Sequence, residues 1–445
     1  MQQEPFPVPE RGPAVTDPSV SPPERHLLPL TASVGADGSL SVGGVDLVGL
    51  AGELGTPLFV YDEAHLRAAC REAVEAWGDG VAYATKAFLC RAMAALAHDE
   101  GMCLDVSTGG EMHVALAAGV PPSRLVFHGN NKSEDELARA VEVGIGRVVV
   151  DSFDEIARLE RLTDRLAGDA RLRALVRVTP GVEAHTHEFV RTGQEDTKFG
   201  FSVATGAAAE AAAALRRLPG VELLGVHAHI GSQVFEVSSF ERAAEVLAGF
   251  FLPLQLPELC VGGGLGVAYV NGEVAPSQAA WAAATRAACE RSGVAAGTRI
   301  TAEPGRSIVA TAGLTLYRVG TVKALPGIRT YVAVDGGMSD NPRPVLYGSG
   351  YEAFLPREVD APRPRIVRVV GKHCETGDVV VPEANVPEDL VVGDVLATPV
   401  TGAYGYSMAS NYNKVPRPPV VFVAGGKVRT VVRGEDLHDL LHLDA

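Results

Sequence analysis

Between residues 55 and 310 the apolar positions fall into two alternating patterns. Short runs rich in Val, Leu and Ile end in Gly, Ser, Thr or a charged residue, and each is followed by an alanine- and leucine-rich stretch with charges at helical spacing. Eight such runs can be counted: Val81–Thr85, Cys103–Ser107, Leu125–His128, Arg147–Asp151, Ala174–Thr179, Leu223–Ile230, Leu259–Gly263 and Ile300–Glu303. The intervening stretches predict helices at Arg91–His98, Gly110–Ala118, Glu134–Val143, Phe153–Leu166, Ala207–Leu215, Phe240–Phe250 and Gln278–Arg291. Strands alternating with helices imply parallel pairing. Eight of them over about 250 residues fit a (β/α)8 barrel of the TIM type. The rival is an open doubly wound sheet, which usually has fewer strands, and no GxGxxG follows the first run.

After residue 310 the texture changes. Leu314–Thr321, Arg329–Asp335, Arg365–Val370, Val391–Thr398 and Val420–Arg429 alternate or run in β-branched residues, with Pro and Gly between them. That pattern predicts an antiparallel β-barrel or sandwich domain over 311–445. The stretch Gly38–Gly49 is also strand-like, so residues 26–54 are expected to pack on that β domain. The opening residues, MQQEPFPVPERGP, are proline-rich and polar, and 1–25 are expected to be a disordered tail.

Composition narrows the function. Apolar residues are 47% and charged residues 21% of the 445, as in a soluble globular protein. The net charge of −15 argues against a nucleic-acid or anionic-membrane surface, and no apolar run approaches the roughly 20 residues of a membrane span. The six cysteines are scattered with no CxxC pair, which argues against a disulfide scaffold or zinc site and for a cytoplasmic location.

In a barrel of this type the active site lies at the C-terminal ends of the strands, and that is where the reactive residues fall. The runs end in Lys86, in Asp105, in His128, in His227-Ala-His229-Ile-Gly-Ser232, in Gly262-Gly263-Gly264 and in Glu303-Pro-Gly305-Arg306. A lysine after an apolar strand is expected in a partly dehydrated pocket, where its free amine can condense with an aldehyde. A glycine loop lets backbone N–H groups approach a phosphate, although a tight turn explains it equally well. A carboxylate such as Glu303 keeps a pyridine nitrogen protonated, but a Glu303–Arg306 salt bridge is the ordinary alternative. The HxH pair His227/His229 also fits a metal hydrolase that recruits His128 and Asp105 to hold zinc. His185 and His187 read as loop residues. Arg343 and Tyr347 lie in one polar loop, Cys374 and Glu375 stand side by side in another, and Tyr404 lies in Gly402-Ala-Tyr-Gly-Tyr-Ser.

Ten strings in order, YATKA, CLDVSTGGE, FHGNNKS, HEFV…EDTKFGFS, GVHAHIGSQ, GGGLG, EPGR, MSDNPRPVLY, HCETGD and GAYGYSMASNYN, resemble the fold-type III pyridoxal-phosphate decarboxylases, most of all the diaminopimelate decarboxylase family. The resemblance runs from about residue 40 to 430. It implies pyridoxal 5′-phosphate as cofactor and release of CO2 from meso-2,6-diaminopimelate to give L-lysine, the last step of lysine biosynthesis. Lys86 becomes the Schiff-base lysine, His229 stacks on the cofactor ring, and Glu303 pairs with the pyridine nitrogen. Asp105, Ser232, Gly263, Gly264, Gly305 and Arg306 complete the cofactor site. Arg306, Arg343 and Tyr347 bind substrate carboxylate, and Tyr404 contacts both cofactor and substrate. Cys374, as proton donor, and Glu375, for the distal ammonium, come from the partner subunit of a homodimer. Phe88 departs from the family's usual Ala-Asn after the lysine and is expected to alter the pocket edge. Rival readings are a decarboxylase of ornithine or of a carrier-linked glutamyl group, a racemase, and a non-catalytic cofactor-binding paralogue. A racemase would want a tyrosine base where Cys374 stands.

Overall fold

A computed structural model of the chain describes residues 22–163, 171–181 and 196–445. His185 and His187 lie outside the described residues, as do residues 1–21 and the end of the helix expected to reach Leu166. Two compact units emerge: Leu66–Val267 with Val274–Ala310, and the remainder, up to His65, Ala268–Glu273 and Thr311–Ala445.

The first unit contains eight parallel strands: Ala82–Ala84, Cys103–Val106, Leu125–Phe127, Arg147–Val150, Leu172–Thr179, Val221–His227, Glu258–Cys260 and Arg299–Thr301. Each pairs with its neighbours in chain order. The circle closes between the first and last. Ala82 N donates to Ala302 O at 3.0 Å and Ala84 N to Pro304 O at 3.0 Å, which makes this a barrel rather than an open sheet. Ala82, Cys103, Val126, Val149, Leu175 and Cys260 form one buried cluster drawn from six of the strands. None of the six cysteines forms a disulfide, and Cys103 and Cys260 act as small core residues.

Helices follow the strands within a few residues of their predicted bounds: Arg91–Asp99, Gly109–Ala117, Glu134–Val143, Phe153–Thr163, Ala207–Arg217, Val237–Phe251 and Gln278–Arg291. The Asn-Asn-Lys-Ser stretch shows how local chemistry sets these bounds. Ser133 and Glu136 form a reciprocal capping box that starts Glu134–Val143, and Gly144 ends it in the left-handed conformation. Lys132 is 2% exposed. Its Nζ donates to Gly129 O at 2.8 Å, Val149 O at 2.7 Å and Glu155 Oε1 at 2.8 Å, tying the loop after strand three to strand four and the helix beyond it.

The second unit is built on one sheet of eight strands, Leu58–Asp62, Gly313–Leu325, Arg329–Val334, Arg365–Val370, Val379–Val386, Val395–Pro399, Val420–Ala424 and Lys427–Val432. Most pairings are antiparallel, as the alternation predicts. Two are parallel: Arg329–Val334 with Arg365–Val370, and Leu58–Asp62 with Val420–Ala424. The barrel had been expected from residue 55. Instead Leu58–Asp62 lies inside this sheet, antiparallel to Gly313–Leu325 on its other side. The segment 26–54 forms a small antiparallel sheet of Ser33–Val34, Leu40–Val42 and Val45–Asp46, followed by a helix, Leu47–Leu54, that Asp46 caps. Its Leu40, Val42, Leu47 and Leu50 share a core with Leu58, Val60, Leu314, Leu316 and Val421 of the large sheet.

The Lys132–Glu155 pair gives a stability test. Removing one partner strands the other charge in the interior, so Glu155→Leu should cost about 3–5 kcal/mol in chemical denaturation. Lys132→Met combined with Glu155→Leu should recover part of that loss, because the uncompensated charge is gone.

Candidate active site

The barrel's C-terminal rim is organised around Glu303. Residue 303 follows the last strand, with its N–H bonded to Gly262 O at 2.7 Å and its side chain 6% exposed. Oε1 meets His128 Nε2 at 2.8 Å and Oε2 meets His227 Nε2 at 2.8 Å. The two imidazoles stand edge to face, 4.8 Å between centroids. Burial by itself would raise the Glu303 carboxyl. The two histidines more than offset this, by charge and by hydrogen bonding, and hold it well below its ordinary range.

Asp105, at the end of strand two, lies 3.7 Å from His128 Nε2. Burial raises its pKa to about 6 against the pull of His128, and the Glu303 carboxylate adds to the rise. Its Oδ1 is buried without a hydrogen-bond partner among the described residues. His229 is held well below its ordinary pKa, first by burial and then by the Lys86 and Arg177 cations, so its ring is neutral. Its Nδ1 accepts from Gly263 N at 3.0 Å, which fixes the ring against the glycine loop. A Cβ on Gly263 would lie 2.3 Å from Glu303 O and 3.7 Å from His229 Cε1, so only glycine fits between the Glu303 backbone carbonyl and the imidazole. Arg306 donates to Ser232 Oγ at 2.9 Å, and a Cβ on Gly305 would strike Ala84.

Lys86 differs from expectation. The first strand stops at Ala84, and Lys86 lies in a 3-10 turn over Thr85–Ala87, where it is exposed rather than dehydrated. Thr85 anchors that turn by donating to Asp105 O at 2.8 Å. Phe88 is fully buried and its carbonyl accepts from Tyr83 OH at 2.6 Å, so it is a core residue rather than a pocket edge. Glu303 binds two histidines, and the simple Glu303–Arg306 salt bridge is not formed.

The zinc reading relied on His227 and His229 as a pair. The structure separates them, with His227 on Glu303 and His229 on the Gly263 amide. Among the described residues the one group with metal-ligand spacing is His128, His227 and Glu303. Its 2.8 Å contacts are hydrogen bonds, and His227 Nδ1 is buried with no hydrogen-bond partner among the described residues, whereas a metal-bound histidine needs that second nitrogen held. The donor set fits a carboxylate kept ionised to face a pyridinium.

In the other unit, Arg343 opens a short helix, Arg343–Tyr347, and is 4% exposed. Its guanidinium lies over the Tyr269 ring at 4.3 Å and donates to Tyr351 OH at 2.5 Å. Burial opposes its charge, yet Tyr269 and Tyr351 outweigh this and keep it ionised. Its Nε is buried without a hydrogen-bond partner among the described residues, a donor ready for an anion. Tyr347 and Tyr404 are half-buried, while Cys374 and Glu375 are exposed. Glu375 Oε2 accepts from Tyr412 OH at 3.4 Å and Cys374 N donates to Asn413 Oδ1 at 3.0 Å. The sequence reading missed the roles of His128 and His227 toward Glu303, although both stood at strand ends. It also missed Tyr351 and Tyr269. Tyr351 lies eight residues after Arg343 and was within reach of inspection; Tyr269 carries no local signal.

A family model described as the pyridoxal-binding domain of pyridoxal-dependent decarboxylases matches residues 63–310. Diaminopimelate decarboxylase of Mycobacterium tuberculosis is 46% identical over 428 residues, 92% of this chain and 95% of the relative. That of Bacillus subtilis is 44% identical over 424 residues, with the same two coverages. The crystal structure of diaminopimelate decarboxylase from M. jannaschii in co-complex with L-lysine aligns with a TM-score of 0.87 at 30% identity, covering 94% of this chain and 98% of that one. A lysine/ornithine decarboxylase from Vibrio vulnificus, at 20% identity and a TM-score of 0.71, shares the fold. Barrel, rim and comparisons together define a pyridoxal-dependent decarboxylase. The chain belongs to the diaminopimelate decarboxylase family.

Two predictions come from this geometry. Gly263→Ala should cost at least tenfold in retention of pyridoxal phosphate, read by dialysis and cofactor absorbance, because a Cβ must displace Glu303 or His229. The second concerns pH. Between 3.8 and about 6 the unfolded Asp105 has lost its proton while the folded one keeps it, so this residue makes stability fall as pH rises through that window. Asp105→Asn should therefore show less loss of thermal midpoint than wild type across the same window.

Proposed function

We propose that this protein decarboxylates meso-2,6-diaminopimelate to L-lysine, with pyridoxal 5′-phosphate carried by Lys86. The observation that carries the reading is the Glu303 carboxylate gripped by His128 and His227 at 2.8 Å each. When bound, the cofactor supplies an electron sink for the pair left behind as CO2 departs. Glu303 keeps a proton on the pyridine nitrogen, because two histidines stabilise its charge in a buried site. His229, neutral and pinned through Nδ1, offers a flat face for the ring. The Gly263–Gly264 loop, Ser232, Gly305 and Arg306 bind the phosphate end, and Asp105 completes the cofactor pocket.

Arg343 binds a substrate carboxylate and is pre-oriented for that by Tyr269 and Tyr351. A dicarboxylic substrate then finds its own partner in Arg343, whereas ornithine or lysine would leave that buried cation unmatched, which is the costly kind of omission. Arg306, Tyr347 and Tyr404 assist in holding substrate. Cys374 delivers a proton to the α-carbon and Glu375 receives the distal ammonium, both in the partner subunit's active site. Their exposure on the single chain, in contrast with the deeply buried Arg343, supports this division. Six cysteines without a disulfide fit a cytoplasmic enzyme. Among the described residues no helix is long and apolar enough to cross a membrane.

Purified protein should carry a visible absorption band that Lys86→Ala abolishes; a colourless, zinc-containing protein would sink the proposal. CO2 release should favour meso-diaminopimelate over ornithine, lysine and arginine, and Arg343→Ala should cost about 10²–10³-fold in kcat/KM for diaminopimelate, the scale of one lost charge-assisted contact of some 3–4 kcal/mol. Mixing inactive Lys86→Ala and Cys374→Ala proteins should restore activity, since hybrids contain one intact site.

A further inference from the structure

Two functional loops of the β unit meet at one buried carboxylate, Asp378. It is 3% exposed and closes the His373–Asp378 turn that presents Cys374 and Glu375. Its Oδ2 accepts from His373 N at 2.9 Å and pairs with His373 Nδ1 at 2.8 Å. Its Oδ1 reaches out of that turn and accepts from Met338 N at 2.7 Å, in the loop that leads to Arg343. Lys372 N donates to Gly336 O at 3.0 Å and reinforces the same junction. Two glycines make room for the carboxylate, since a Cβ on Gly337 or Gly371 would lie 2.5 Å or 2.2 Å from its oxygens.

The arginine loop has few other tethers. Asp340 accepts from Gly337 N at 2.7 Å and Tyr317 OH at 2.6 Å, and Ser339 O accepts from Ser410 N at 2.8 Å, which links the Tyr404 loop. The Asn341 amide is buried with no partner for either atom among the described residues. The position of Met338, five residues before Arg343, therefore depends on Asp378. On the other side, His373 is held by Asp378 through Nδ1 and stacks on Tyr412 at 5.7 Å, and Tyr412 contacts Glu375.

We propose that Asp378 is a positioning residue that couples the two active sites of the dimer: one carboxylate sets both the Arg343 loop, which serves its own subunit's substrate, and the Cys374–Glu375 turn, which serves the partner's. The proposal rests on the shared-site reading above. An aspartate is required, because asparagine offers one acceptor and one NH2, and that NH2 would face a donor at either Met338 or His373. Substitution in one subunit should thus damage both sites of a dimer, whereas substitution of a residue belonging to one site damages one.

The test uses holoenzyme hybrids with differently tagged subunits, one wild type and one variant, purified by both tags. Wild type paired with Lys86→Ala or with Cys374→Ala should each give about half of wild-type activity. Wild type paired with Asp378→Asn should fall clearly below half, and the Asp378→Asn homodimer should lose about tenfold to a hundredfold in kcat/KM, the effect of sub-ångström to ångström misplacement. His373→Ala keeps the Met338 bond and loosens one loop alone, so its hybrid should stay near half. A half-active Asp378→Asn hybrid would overturn the coupling, as would an unimpaired Asp378→Asn homodimer. Should Asp378→Asn fail to fold, Met338→Pro, which deletes the N–H donated to Asp378 while leaving the His373 bonds, should leave its hybrid near half, and Met338→Pro combined with His373→Ala in one subunit must lower the hybrid below half, or the coupling is refuted. If mixed Lys86→Ala and Cys374→Ala proteins show no recovery, the shared-site reading fails first and separately.

Discussion

Glu303 sits on the seam of the barrel, and the rest of the site depends on that placement. The bonds that close the circle run to the carbonyls of Ala302 and Pro304, one on each side of it, and its own N–H reaches the other way to Gly262. The residue is thereby fixed to both the first and the seventh strand. A buried carboxylate in such a position is tolerable only if its charge is met. His128 and His227, from strands three and six, meet it. The interaction that makes the residue useful is therefore also the one that lets the barrel close around it.

The same logic links the glycine loop to the imidazole. Gly263 is squeezed between the Glu303 carbonyl and His229, and its N–H bonds the His229 ring. One small residue thus sets how closely the Glu303 backbone and the His229 ring approach each other. Desolvation and two nearby cations keep His229 neutral, so the ring adds no second charge to the rim.

Much of this was readable from residues alone. The eight strands and seven helices followed from periodicity, since each strand run is short, apolar and ends in a reactive or turn-forming residue. The rim residues followed from strand ends. What escaped was whatever depends on partners distant in sequence. Leu58–Asp62 is an apolar run of the kind a barrel strand shows, and nothing in it announces that its partners lie at 313–325 and 420–424. His128 and His227 look like metal ligands until Glu303 is placed between them. Lys86 was expected to be dehydrated because it follows a strand, but in the turn at Thr85–Ala87 it is exposed, with its charge still acting on Asp105 and His229. The tyrosines around Arg343 come from positions 269 and 351, one of them more than seventy residues away in sequence.

The strand Leu58–Asp62 has a consequence for how the protein is made. Chains emerge from the ribosome N-terminus first, at roughly 5–20 residues per second. This strand is fully buried in the finished sheet, yet its first neighbour is synthesised about 250 residues later and its second more than 100 residues after that. For tens of seconds it is an apolar edge without a sheet, the kind of segment that pairs with other chains when left exposed. The barrel, complete by residue 310, can form in the interval. Newly made protein is therefore most vulnerable to aggregation when one unit is already folded, and conditions that slow translation of the last third of the chain lengthen that exposure.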